Sequence, residues 1–206
     1  MTAKPSIEIQ RQLMLESILK DYKIFNPQKD DKKVLPKNSG NYVILLKKET
    51  PFPIQKGKDL PIMRDVEFND EAYWLIYTGV GSELQKRIGN HFFQDNAGRS
   101  TLRLSLGSLM GYIKIYRDKK KSDKKKSNKK FKKKDELTLT EWMKKNLLVL
   151  YKINPDYEQD ETVMISILNP PLNIEKNENE ENAEFRSELK HLRSKDIQFE
   201  PIVEQN

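Results

Sequence analysis

Residues 72–92 read AYWLIYTGVGSELQKRIGNHF, and the reading of this stretch decides the fold. Its first six residues, ending at Tyr77, are apolar and aromatic, the composition of a strand. Thr78, Gly79, Val80 and Gly81 then turn the chain, and Ser82 with Gln85 has the capping-box spacing that opens a helix. In that helix Leu84, Ile88 and Phe92 form an i, i+4, i+8 stripe for a core. Arg87 and His91 stand four apart beside the stripe, one above the other. Gly89 in the interior costs about 1 kcal/mol relative to Ala, which suggests a close approach there.

Upstream, 41–47 is a short apolar strand punctuated by Gly40. It is preceded by a helix over 7–21 and a Pro-containing loop over 26–40, and followed by a three-proline excursion over 50–70. Downstream, Ser100 caps a helix over 101–110, and 112–116 is a strand candidate. Thr138 and Glu141 have the spacing of another capping box. Residues 147–153 form a further strand, and Asp156 precedes a helix over 157–168 that Pro170 and Pro171 end. A polar linker with five Glu and one Lys occupies 175–184, and a last helix covers 183–192. The fold class is α/β (α+β), with a small central three-stranded sheet, antiparallel or mixed, flanked by helices. The parts are an N-terminal helix and loop (1–39), a central domain (40–174) with an insertion at 50–70 and a Lys-rich arm at 117–135, and a C-terminal linker and helix (175–206).

A chain of 206 residues suits one domain, and 36% hydrophobic residues allow it a core. Its apolar runs fall far short of the ~20 residues that span a bilayer. The N-terminus shows no apolar stretch before its first charges, and the expected location is the cytoplasm. With no Cys there is no disulfide framework, thiolate metal site or Cys nucleophile, and two His make a structural zinc site untenable. The net charge of +7 is unevenly placed. Residues 117–134 hold eleven Lys and one Arg against Asp118 and Asp123, a net +10, which leaves −3 for the remainder. Such a run is too self-repelling for a core and expands in water. It reads equally as a solubilising loop and as a phosphate-binding arm.

Six residues invite a chemical reading: Tyr42, Tyr77, Arg87, His91, Glu161 and Asn173. Each alone has a plainer explanation. The tyrosines are ordinary sheet aromatics, Arg87 a surface cation and His91 a packed imidazole. Glu161 suits a helix N-terminal turn and Asn173 a turn. Glu161 nevertheless opens an otherwise apolar face with Met164, Ile165 and Leu168, and a carboxylate there calls for a partner or a metal.

Their order is what carries weight. Gly40-Asn41-Tyr42, then Tyr77-Thr78-Gly79, then Arg87 with His91, then Glu161, then Pro170-Pro171-Leu172-Asn173 resembles the GIY-YIG endonuclease family, and most closely its compact restriction-enzyme-type members. Two departures stand out: Tyr42 and Tyr77 are 35 positions apart, and Asn41 and Thr78 replace the middle Ile of each triplet. The resemblance implies a restriction-type or mobile-element endonuclease that hydrolyses phosphodiesters of double-stranded DNA with Mg²⁺ or Mn²⁺. It makes Glu161 the metal ligand, Arg87 the phosphate donor and Tyr42 the general base. Tyr77 and His91 orient water and phosphate, with His91 an alternate proton carrier near neutrality. Asn173 fixes the surrounding backbone. A hard oxygen ligand with retained waters is a normal Mg²⁺ arrangement, and Arg presents a planar fork to phosphate.

The expected nucleic-acid contacts are Arg87, Arg103, Lys119, Lys120, Lys121, Lys124, Lys125, Lys126, Lys129, Lys130, Lys132, Lys133 and Lys134. A homodimer on DNA is a further expectation. The competing function is a non-catalytic DNA-binding protein on the same fold, which needs the basic arm but neither Glu161 nor Tyr42.

Overall fold

The computed structural model describes residues 7–54, 58–68, 70–116 and 129–194. Three strands form its centre: β2 (Gly40–Lys47), β4 (Glu71–Gly81) and β7 (Leu147–Ile153). Shorter strands flank them, β3 (Arg64–Phe68) beside β4 and β1 (Lys23–Phe25) beside β7. The order is β1-β7-β2-β4-β3, antiparallel at every pairing. The α/β class and the central sheet flanked by helices agree with the sequence reading, and the three expected strands are the middle of five. The two edge strands lie in stretches too short and too polar to show a period of two.

Helices cover both faces, which is why β2 reads as a nearly continuous apolar run. On one face Tyr42, Ile44 and Leu46 pack with α2 (Leu84–Phe92), α3 (Thr101–Leu109), α4 (Lys133–Asn146) and α6 (Ala183–Ser194). On the other, Val43 and Leu45 pack with α1 (Ile7–Leu19) and α5 (Tyr157–Leu168). Among the described residues no helix is long and apolar enough to cross a membrane.

One irregularity positions the site. Ile44 pairs with Tyr77 but Leu45 pairs with Leu75, so Ile76 is an extra residue in β4. Leu75 and Tyr77 would otherwise share a face. The bulge instead sends Leu75 to the α1/α5 side and Tyr77 to the side of Tyr42 and α2.

Several local expectations change. β4 continues through Gly81 instead of turning after Tyr77. Glu83, not Ser82, occupies the cap of α2 without a side-chain bond, and the amides of Leu84 and Gln85 donate to the carbonyls of Asn38 and Pro36. The 26–40 loop therefore does the capping. A Cβ at Gly89 would meet nothing within 4 Å, so no close approach explains that glycine. Helix α4 begins at Lys133, which places Thr138 in its interior. Ser100 does cap α3, accepting from the Arg103 amide.

Within the Lys-rich stretch the structure describes Lys129 onward. Lys129–Phe131 forms β6, which pairs with β5 (Lys114–Tyr116), and Phe131 is fully buried. The last residues of the expected arm at 117–135 thus lie in β6 and α4, anchored by the one aromatic residue of the run. Residues 117–128 lie outside the described residues.

Candidate active site

The two triplets face one another across β2 and β4. Gly40 pairs with Gly81, Asn41 with Val80 and Tyr42 with Gly79. A Cβ on Gly79 would lie 2.6 Å from Tyr42 Cζ and closer still to Oη, so the glycine is the seat of the Tyr42 ring. A Cβ on Gly40 would collide with the Lys152 carbonyl of β7 and come within 2.8 Å of Leu84. The substituted middle residues are satisfied by hydrogen bonds. Asn41 donates to the Tyr157 carbonyl (3.1 Å) and accepts from Asn154 (2.8 Å), while Thr78 Oγ1 donates to the Tyr42 carbonyl (3.0 Å). Both tie the site's own elements together, as a middle Ile would do by packing.

The Tyr42 hydroxyl lies between Arg87 Nε (3.2 Å) and His91 Nε2 (2.7 Å). Arg87 must donate to that oxygen, whereas the donor in the Tyr42–His91 bond follows the imidazole tautomer, which is set at the other ring nitrogen, Nδ1. That nitrogen is 2.6 Å from Ser100 Oγ, which accepts from the Arg103 amide. The result is a buried chain: Arg87, Tyr42, His91, Ser100. Tyr77 stands beside it, its hydroxyl 3.1 Å from Thr101 Oγ1 and its ring 6.2 Å from that of His91.

Burial sets the protonation. Desolvation, and then the neighbouring Tyr77, push the Tyr42 hydroxyl far above the ordinary tyrosine range, against a lowering by Arg87. Arg87 is raised in turn, chiefly by Tyr42. Desolvation, then Arg87 and Arg103, hold His91 well below the ordinary histidine value. His91 is a neutral imidazole at physiological pH. It does not titrate near neutrality as the isolated residue type would, because it is fully buried between two guanidinium groups.

In front of this chain opens a cleft of about 280 Å³, lined by Tyr77, Arg87, Glu161, Asn173, Lys176 and Arg193 among others. The fold therefore brings Tyr77, Arg87, Glu161 and Asn173 to one cavity and keeps Tyr42 and His91 directly behind Arg87. Glu161, from the first turns of α5, forms an ion pair with Lys176. That carboxylate draws the Lys176 ammonium above its ordinary value. Asn173 is held against the strand, its side chain bound to the backbone of Thr78 at both ends. A larger cavity of about 640 Å³ shares Lys176, Glu175 and Arg193, and adds Lys129, Lys190 and His191.

The expected cations divide. Lys119, Lys120, Lys121, Lys124, Lys125 and Lys126 lie outside the described residues. Lys129 and Lys130 are half-buried on β6, Lys132 half-buried at the start of α4, and Lys133 and Lys134 exposed. Arg103 is corrected outright. It is fully buried, 2.6 Å from Glu136, and its fork also reaches the carbonyls of His91 and Glu136 and Thr140 Oγ1. No donor is left for a phosphate. Its place inside α3, on the covered face, could not be told from an exposed one by charge alone. Thr101, Lys176 and Arg193 escaped the sequence reading, which had Ser100 as a helix cap and not as a partner of His91. Only Lys176 left a signal, as the one cation among the five Glu of 175–184.

The family model of the GIY-YIG catalytic domain matches residues 40–195, well over half of the chain. The chain belongs to the GIY-YIG family. No curated protein and no solved structure gives a match. The matched segment begins at Gly40 and runs through α6, so the cleft and the cavity beside it both fall within the GIY-YIG domain.

The donor set suits a hard cation. Glu161 offers carboxylate oxygens at the cleft wall with 19% exposure, and Glu175 lines the same space. Among the described residues no group of three or more His, Asp and Glu forms a closed cage. A single carboxylate beside open space fits an ion that keeps most of its water, as Mg²⁺ does.

Proposed function

We propose that this protein is a divalent-metal-dependent DNA endonuclease, of the compact kind found in restriction or mobile-element systems. The observation that carries the reading is the position of the Tyr42 hydroxyl, held between Arg87 and neutral His91, behind a cleft that Arg87 and Glu161 share. Glu161 would hold Mg²⁺ or Mn²⁺, which would supply Lewis-acid polarisation of the phosphate and charge for the departing oxygen. Arg87 donates to the scissile phosphate and strengthens as negative charge develops there. Tyr42 is too hard to ionise to act as a standing phenolate. As general base it would need its proton relayed, and His91 Nε2, 2.7 Å from its hydroxyl, is the group within reach. Tyr77 orients the water, and Asn173 holds the strand that carries Tyr77.

The duplex backbone continues from the cleft along α6, where Lys190, His191 and Arg193 line the larger cavity with Lys129. Lys129 belongs to the Lys-rich stretch, whose lysines would add salt-sensitive attraction. One cleft per chain cuts one strand, and double-strand cleavage calls for two copies on the duplex.

Supercoiled plasmid incubated with the purified protein tests the function. Nicked or linear product with Mg²⁺ or Mn²⁺, absent with a chelator, is the expected result. Tight plasmid binding with no product under any divalent cation favours the non-catalytic reading.

A further inference from the structure

Lys176 stands apart from the residues already assigned. It lies in the cleft with Arg87 and Glu161, and its ammonium is ion-paired with the Glu161 carboxylate. It is presented on a fixed loop. The Leu172 amide donates to the carbonyl of the bulge residue Ile76, Asn173 clasps Thr78, and the buried Asn177 donates to the Pro170 carbonyl at 3.3 Å. The backbone of Lys176 itself is left-handed, with φ of 62°. A lysine gains nothing intrinsic from that conformation, and such residues persist where surrounding contacts over-determine them. The loop that the family's asparagine anchors thus delivers a cation to the family's glutamate.

We propose that Lys176 is a positioning residue that occupies the cation place at Glu161 in the metal-free protein, so that a divalent ion must displace its ammonium to bind. The inference rests on the assignment of Glu161 as the metal ligand. An ammonium and a hydrated divalent ion compete for the same carboxylate oxygens. Without either, Glu161 would be a half-buried carboxylate, with 19% exposure, that has lost the ion pair it makes here. Displacement has somewhere to go: Lys176 also borders the larger cavity, where a nucleic-acid phosphate offers it a second partner. The metal requirement is thereby tuned by a lysine that lies outside the two triplets.

The test is Mn²⁺ binding to the full chain without nucleic acid, read by electron paramagnetic resonance of the free ion. Lys176→Met is expected to tighten Mn²⁺ by up to about fivefold, the scale of a partly exposed ion pair of ~1 kcal/mol. Lys176→Arg keeps the competitor and is expected to match the parent. Lys190→Met removes an equal charge from the neighbouring cavity without touching Glu161 and is expected to leave the affinity unchanged. Unchanged or weakened Mn²⁺ binding in Lys176→Met overturns the proposal, as does an equal gain in Lys190→Met. Glu161→Gln separates the two readings: if it loses the Mn²⁺ while Lys176→Met behaves as the parent, only the competition fails. If Mn²⁺ binding is the same with and without the carboxylate, the metal assignment itself fails.

Discussion

Asn173 grips Thr78 by both backbone polar groups. Its Oδ1 accepts from the Thr78 amide and its Nδ2 donates to the Thr78 carbonyl, each at 2.9 Å. β3 pairs with β4 only as far as Leu75, so beyond that point the edge of β4 lacks a strand neighbour. The Asn173 amide supplies one, completing the ladder with a side chain. Asn173→Ala leaves two buried backbone groups unpaired at about 1–3 kcal/mol each. Urea denaturation should show a loss on that scale. Asn173→Asp should not rescue it, because a carboxylate accepts from the amide but repels the carbonyl.

The buried pair of Arg103 and Glu136 gives a second expectation. Glu136 also accepts from the amides of Ala97 (2.7 Å) and Phe131 (3.1 Å), so one carboxylate joins α3, α4, β6 and the turn before α3. Removing one member of such a pair strands the other charge and costs about 3–5 kcal/mol. Arg103→Met should therefore lower the denaturation midpoint sharply. In the folded fraction the salt dependence of DNA binding should not change, since Arg103 never meets solvent.

What the sequence could reveal followed from spacing. Leu84, Ile88 and Phe92 announced α2, and 147–153 announced β7, because both patterns repeat within a few residues. The six candidate residues were legible through their order. Three things were not. The Ile76 bulge has no signature, since an extra residue in one strand is visible only against its partner. The burial of Arg103 depends on Glu136, 33 positions away. The cap of α2 comes from the carbonyls of Asn38 and Pro36, whereas Ser82 offered a local alternative that the tertiary structure did not use.

The depressed His91 value has a sign. In the unfolded chain the imidazole takes up a proton below about 6.5, whereas in the folded protein it remains neutral well below that pH. The unfolded state then binds more protons, so stability falls as pH drops below about 6.5 and is undiminished above it. His91→Gln should flatten this acid limb between about pH 6.5 and 5. Denaturation midpoints of both proteins across that range check it, and an equal slope in the variant would show that other groups control the limb.

Lys119, Lys120, Lys121, Lys124, Lys125 and Lys126 can be neutralised together while Phe131 is kept. On duplex DNA the log–log salt slope should flatten by about 0.9 for each phosphate that these lysines neutralise in the parent. Cleavage at saturating DNA should persist. An unchanged slope would make the segment a solubilising loop.

The most direct measurement is the single-turnover cleavage rate of Glu161→Ala on a labelled duplex in Mg²⁺, with DNA affinity measured in parallel. The account predicts a folded protein that binds DNA as the parent does and cuts nothing, because the carboxylate acts on the cation and not on the backbone. Cleavage by the folded variant at the parent rate would contradict it.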